Sequence, residues 1–390
     1  MIADLHCHYP MRVVSDLTPA TTVKRMRQVR GRPGFGDKAR ALILKVATIV
    51  ASNRTWWSGY RVTVEKLREG GVGLAMSVVH GPFEEMDLGK PYMSPPESRY
   101  FRRVVDDIAK VEDEVATHDP AVVRIAHNRA ELDRCLADGA TALVHCVEGG
   151  YHLGDRPEEI ATNVAELARR GVVYVTVAHL FFRQVATNAP ALPFLGETWY
   201  RRLFPQPEGE GLTERGIAAV RALVRNRVLI DISHMSADSV RETFRLLDDE
   251  ADPNGEMPII ATHAGYRFGK QEYMLDEEAL LQIKRRDGVV GLIMAQYQLN
   301  DGLRRRTSSF EDSFDVICRH IDRIAEITGS HRHVAFGTDF DGFIKPTLTG
   351  LESAADLKRL ERELRRRYGD ADADLITSAN ALRVLRRLWQ

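Results

Sequence analysis

Cysteine is scarce in this chain: Cys7, Cys135, Cys146 and Cys318 are the only four in 390 residues, and no two form a C-x-x-C pair. A disulfide framework is therefore excluded. An excess of one charge is also missing, with 54 Lys plus Arg against 55 Asp plus Glu and a formal net charge of −1. Such a balance offers nucleic acid no electrostatic footprint. Long apolar runs are absent too; Ala41 to Ala51 is the longest, and Lys45 breaks it. It is too short to span a bilayer. The opening MIADLHCH has no basic region and carries Asp4, so it does not read as a signal peptide. No internal repeat stands out. What is present, 44% hydrophobic and 28% charged residues, is the composition of a globular protein. The expectation is a cytoplasmic, enzyme-sized protein with a small-molecule partner, no nucleic-acid or membrane partner, and homodimerisation left open.

Short apolar, β-branched runs alternate with helix-period segments. Candidate strands are 1–8, 72–80, 140–148, 172–179, 227–234, 257–263, 288–295 and 333–339. Helical patterns fall at 60–70, 97–118, 128–139, 158–171, 213–226, 236–250, 276–287 and 310–329, and two more follow at 352–368 and 372–389. Ser236 and Asp276 are suited to N-caps, and Gly171 and Gly329 to helix ends. Near-continuous apolar strands alternating with helices indicate a parallel sheet covered on both faces. Eight of them predict closure into a (β/α)8 TIM-type barrel, and no Gly-rich dinucleotide fingerprint favours an open sheet instead. The chain reads as one domain over 1–390. A helical insertion at 24–60 and a long loop over the barrel mouth at 183–212 interrupt the pattern, with a membrane-surface helix as the alternative for the insertion.

The chemistry gathers at strand ends, where residues of this barrel class act. Six candidate strands end in a potential metal ligand: His6 with His8, Glu148, His179, His234, His263 and Asp339. His6 and His8 share one face of a strand, as does Asp4, a candidate outer partner; Cys7 points to the helices. Glu148 precedes Gly149 and Gly150, and a buried carboxylate there becomes favourable beside cations that its two oxygens can bridge. One histidine on an apolar strand is usually a core residue. His234 and His263 at the same level suit a borderline-soft divalent metal such as zinc. His179 is either a third ligand or a group polarising a substrate carbonyl. Asp339 can take a proton from a metal-activated water and return it to a leaving amine, with Asp341 in second place. His145 has the opposite parity and reads as structural; His80 stays open. His118, His127, His152, His320 and His331 read as surface residues.

At these residues the chain resembles the membrane (renal) dipeptidase family of zinc metallopeptidases, within the amidohydrolase superfamily. The resemblance rests on LREGGVG at 67–73, VEGG at 147–150, VTVAH at 175–179, LIDISHMS at 229–236, ATHAG at 261–265, FGTDFDG at 336–342 and ANALRVL at 379–385. It implies a barrel hydrolase of dipeptides with two Zn2+ ions bridged by Glu148, His6 on one ion and His234 with His263 on the other. By the same resemblance His179 faces the substrate and Asp339 shuttles the proton. Two departures accompany it. The family's His-x-Asp is here His6-Cys7-His8, where an imidazole replaces a carboxylate ligand. The family's carboxylate-gripping Arg is missing from the stretch Glu272 to Leu275, which contains Tyr273. Arg267 and Arg183 are the cations nearby, and Arg267 as a clamp is weighed equally against a surface ion pair. Alternatives are a non-peptidase amidohydrolase acting on another amide or a lactone, and an inactive metal-binding barrel.

Overall fold

A computed structural model of the chain describes residues 1–14, 59–81, 84–85, 90–192, 195–305, 307–342, 344 and 346–389. The expected helical insertion at 24–60 lies outside the described residues except for Gly59 and Tyr60. Among the described residues nine strands form: β1 (Ile2–Cys7), β2 (Val72–Val79), β3 (Val123–Ile125), β4 (Thr141–Glu148), β5 (Tyr174–Thr176), β6 (Leu229–Asp231), β7 (Ile259–Ala264), β8 (Val289–Leu292) and β9 (Val334–Phe336). They pair in the order β2-β1-β9-β8-β7-β6-β5-β4, and a parallel pairing of β2 with β4 closes the ring. This is the (β/α)8 barrel that the alternation of apolar runs and helices predicts.

The short β3 is not among the sequence candidates. It pairs with the first residues of β4, from Val123 opposite Thr141 to Ile125 opposite Leu143, while β5 takes the end of β4. β3 thus lies outside the eight-membered ring. Three residues with Arg124 in the middle carry too little apolar signal to be read as a strand.

Every residue of β1, β4 and β7 is buried, because helices cover the outside and side chains fill the inside. Helix boundaries follow local chemistry. Ser236 accepts from the Ser239 N–H and Asp276 from the Ala279 N–H, and Gly329 ends its helix at φ 79°. The stretch 183–212 is not all loop: a short helix spans Glu197–Leu203. Among the described residues no helix is long and apolar enough to cross a membrane.

Two matching clamps tie neighbouring strand ends together below the mouth. Asp4 accepts from the backbone N–H of His6 and from both the N–H and the hydroxyl of Thr338. Asp231 accepts from the N–H of Ser233 and from both the N–H and the hydroxyl of Thr262. Each threonine directly precedes a residue of interest, Asp339 or His263, so each clamp fixes where that side chain leaves the sheet. Close approach here requires glycine: a Cβ on Gly337 would sit 1.7 Å from the Thr262 carbonyl oxygen.

Candidate active site

The strand ends deliver His6, His8, Glu148, His179, His234, His263 and Asp339 to one place at the mouth. Glu148 is its centre and is 1% exposed. Around its carboxylate stand five imidazole Nε2 atoms: His179 at 3.2 Å, His6 at 3.3 Å, His263 at 3.4 Å, and His8 and His234 each at 3.6 Å. Neither Glu148 oxygen has a hydrogen-bond partner among the described residues. His234 Nε2 and His263 Nε2 face each other at 2.9 Å.

Outer partners decide what these rings present. The Thr262 hydroxyl donates to Asp231 at 2.6 Å, which leaves its lone pairs for His6 Nδ1 at 3.0 Å and His263 Nδ1 at 2.9 Å. Tyr174 donates its hydroxyl to the Leu5 carbonyl and meets the same His6 Nδ1 at 3.0 Å. Both rings therefore carry their proton on Nδ1 and aim a bare Nε2 at Glu148. Burial, reinforced by the neighbouring histidines, holds His234 and His263 well below the ordinary imidazole range, so both are neutral. Lone pairs and a carboxylate crowd one dry space with few protons between them.

That donor set fits divalent cations. The ligand atoms of His6, His8 and Glu148 lie within 4.8 Å of one another, and so do those of Glu148, His234 and His263. Two groups sharing one carboxylate are what a bridged pair of ions requires. A third group, His6 with Asp231 and His263, also meets that distance. Asp231 is already saturated by Thr176, Ser233 and Thr262, so it orients ligands and does not face the mouth.

Asp339 Oδ1 lies 2.9 Å from His8 Nε2. Asp339 (φ 55°) and His234 (φ 66°) both adopt the left-handed backbone region, which costs about 1–3 kcal/mol each for a non-glycine residue. Tertiary bonds hold them there: the Asp339 N–H donates to the His6 carbonyl, and the Ala189 N–H to that of His234. His179 is gripped from behind, its Nδ1 2.8 Å from Glu85 Oε2. Burial alone would lower His179, but the Glu148 and Glu85 carboxylates raise it to about 9. Asp341 turns away and accepts from the N–H groups of Arg61 and Val62.

The remaining sequence candidates separate. Tyr273 lines the mouth with its ring 5.0 Å from that of His234, while its hydroxyl donates to the His263 carbonyl. Arg267 does not reach the mouth. Its guanidinium donates to the carbonyls of Met274 at 2.7 Å and Glu272 at 2.9 Å and borders an outer groove. Arg183 is buried and donates to the Tyr100 hydroxyl. No Arg or Lys lines the mouth among the described residues.

Sequence reading misses Glu85, Asp231, Thr262, Tyr174 and Gln298. Gln298 lines the mouth, and its buried amide oxygen has no partner among the described residues. Thr262 and Asp231 stand within the ATH and DISH strings, so adjacency to His263 and His234 is the available signal. Gln298 lies in a four-residue helix, Gln296–Leu299, too short to show a period, and no motif surrounds Glu85 in the sequence. Two histidines expected at the surface are fully buried instead. His152 accepts from the Gly81 N–H, and His320 lies between the Tyr266 N–H and the Leu299 carbonyl.

The chain matches the family described as membrane dipeptidase (peptidase family M19) over residues 35–390. An uncharacterized protein in the pqqA 5′ region of Klebsiella pneumoniae is 27% identical over 279 residues, covering 71% of this chain and 93% of that protein. Among solved structures, the dipeptidase AC, a metallopeptidase of family M19, has a TM-score of 0.68 at 20% identity, covering 100% of this chain and 98% of that one. A metallopeptidase from Rhodobacter sphaeroides, liganded with a phosphinate mimic of the dipeptide L-Ala-D-Ala, also has a TM-score of 0.68 at 20% identity, with 100% and 99% covered.

Proposed function

This chain belongs to the membrane dipeptidase family of metal-dependent hydrolases, and from that premise we propose that it cleaves the amide bond of dipeptides or dipeptide-like substrates at a dinuclear zinc centre. One observation carries the reading: a buried Glu148 whose two oxygens are ringed by five imidazole nitrogens within 3.6 Å. His6 and His8 would hold one ion and His234 with His263 the other, with the Glu148 carboxylate available to both. When bound, the ions polarise the scissile carbonyl and acidify water. The chain supplies the rest. Asp339 accepts the proton from the attacking water at its carboxylate and passes it to the leaving amine. His179, steadied by Glu85, donates from Nε2 to the carbonyl oxygen as negative charge develops there. Gln298 accepts an N–H of the substrate. The Rhodobacter relative's phosphinate ligand, a mimic of L-Ala-D-Ala, supports a small dipeptide as the substrate class.

A second reading, a neutral amide or a lactone, is favoured by one feature: no cation lines the mouth among the described residues. The test compares a dipeptide with its C-terminal amide in zinc-loaded protein. Preference for the free acid supports the dipeptidase reading, and equal cleavage supports the second. Because Arg267 is spent on its own loop, Arg267→Ala is expected to leave the acid-to-amide ratio of kcat/KM unchanged. A collapse of that ratio would restore Arg267 as the clamp.

A further inference from the structure

We propose that Glu112, His127 and His145 form a separate divalent-cation site on the outside of the barrel, taking zinc or a similar borderline ion. The three residues come from three elements: the helix Ser98–Val115, the turn after β3, and β4. His145 lies three residues before Glu148 on β4, so it faces the helices and not the mouth. It is fully buried, and neither ring nitrogen has a hydrogen-bond partner among the described residues. A buried imidazole left in that condition is costly, and such groups call for a physical explanation.

Its Nε2 points toward Glu112 Oε1 at 3.5 Å, and His127 Nε2 reaches the same oxygen at 3.0 Å. The candidate ligand atoms of all three residues lie within 4.8 Å of one another. Ligand atoms around tetrahedral zinc are about 3.3 Å apart for bonds near 2.0 Å, so little movement is needed to close on an ion. Two histidines and one glutamate form a known zinc donor set that leaves a position for water.

The surroundings prepare these ligands. Glu131 Oε2 meets His127 Nδ1 at 3.1 Å and also accepts the backbone N–H of His127 at 2.9 Å. A carboxylate behind one ring nitrogen turns the other toward a metal. The turn itself is fixed, since Gly171 packs so closely that a Cβ there would lie 2.5 Å from the His127 carbonyl oxygen. An ion at this position would tie the helix to the sheet beside the short β3.

The competing account is a proton: an imidazolium His127 held between Glu112 and Glu131 with no ion. Zinc equivalents are measured by equilibrium dialysis and elemental analysis at micromolar free zinc on full-length protein, for wild type, His127→Ala and Glu112→Gln. His127 is exposed, so its removal spares the core. The expected result is one equivalent fewer in both variants, unchanged hydrolysis by the loaded enzymes, and loss of the stabilisation that the last equivalent gives wild type. Equal equivalents and an equal zinc-dependent rise in melting temperature across the three proteins would overturn the site. The readout is a difference from wild type, so it is independent of how many ions the mouth holds.

Discussion

At the scale of single residues, Thr262 has an influence larger than its size. Its hydroxyl donates to Asp231 and accepts from two histidines at once, so one side chain sets the tautomers of His6 and His263. Thr262→Val keeps the shape and removes that instruction. Its affinity for metal is expected to fall by about 10–100-fold, as when other outer partners of metal ligands are removed. Competition against a chelator measures this, and unchanged affinity would mean that the tautomers are set elsewhere. Asp339→Asn asks about proton transfer. The amide matches the carboxylate in size but cannot take a proton, so turnover is expected to drop about 10²–10⁴-fold while metal content stays at the wild-type level. Near-normal turnover in the loaded variant would remove Asp339 from the proton path.

At the scale of elements, the helix Phe310–Thr328 reaches over to the loop that leaves β7. His320 on that helix accepts the Tyr266 N–H at Nδ1 and donates from Nε2 to the Leu299 carbonyl, so the neutral ring is fully used. Burial lowers its pKa from 6.5 to about 4 in the folded protein. The unfolded chain therefore binds the proton more tightly, and this contribution to stability is complete above pH 6.5 and lost as pH falls toward 4. The loss is about 3 kcal/mol, since each tenfold difference in proton affinity between the folded and unfolded chain is worth about 1.4 kcal/mol. Denaturant unfolding in the presence of chelator, where metal release makes no contribution, should show wild type losing that much more than His320→Gln across this interval. Parallel pH dependences would place the strain elsewhere.

The same elements explain what can be read from sequence. β2 and β4 stand out because eight-residue, largely apolar runs need no tertiary context to be read as strands. The strand ends then follow, and with them the gathering of His6, His8, Glu148, His234 and His263. β3 is hidden by its length. His152 and His320 read as surface residues because nothing local reveals that a distant N–H or carbonyl will meet them. Arg267 is near in sequence but turns to its own loop, a choice made by the carbonyls of Glu272 and Met274. Periodicity reports which face is buried; it does not report where a long flexible side chain ends.

At the scale of the whole molecule, one barrel brings a carboxylate from β4 and imidazoles from around the ring to a single point. Closure of the ring between β2 and β4 makes that convergence possible, because side chains separated by more than two hundred residues become neighbours. The arrangement has a cost that bound cations would relieve: lone pairs and a carboxylate held together out of water. The central claim is that Glu148 bridges two ions. Its direct test is the zinc content of Glu148→Ala against wild type, both dialysed at the same free zinc and checked for folding by circular dichroism. The account expects the folded variant to hold two equivalents fewer than wild type. A folded variant that loses one equivalent or none would contradict it.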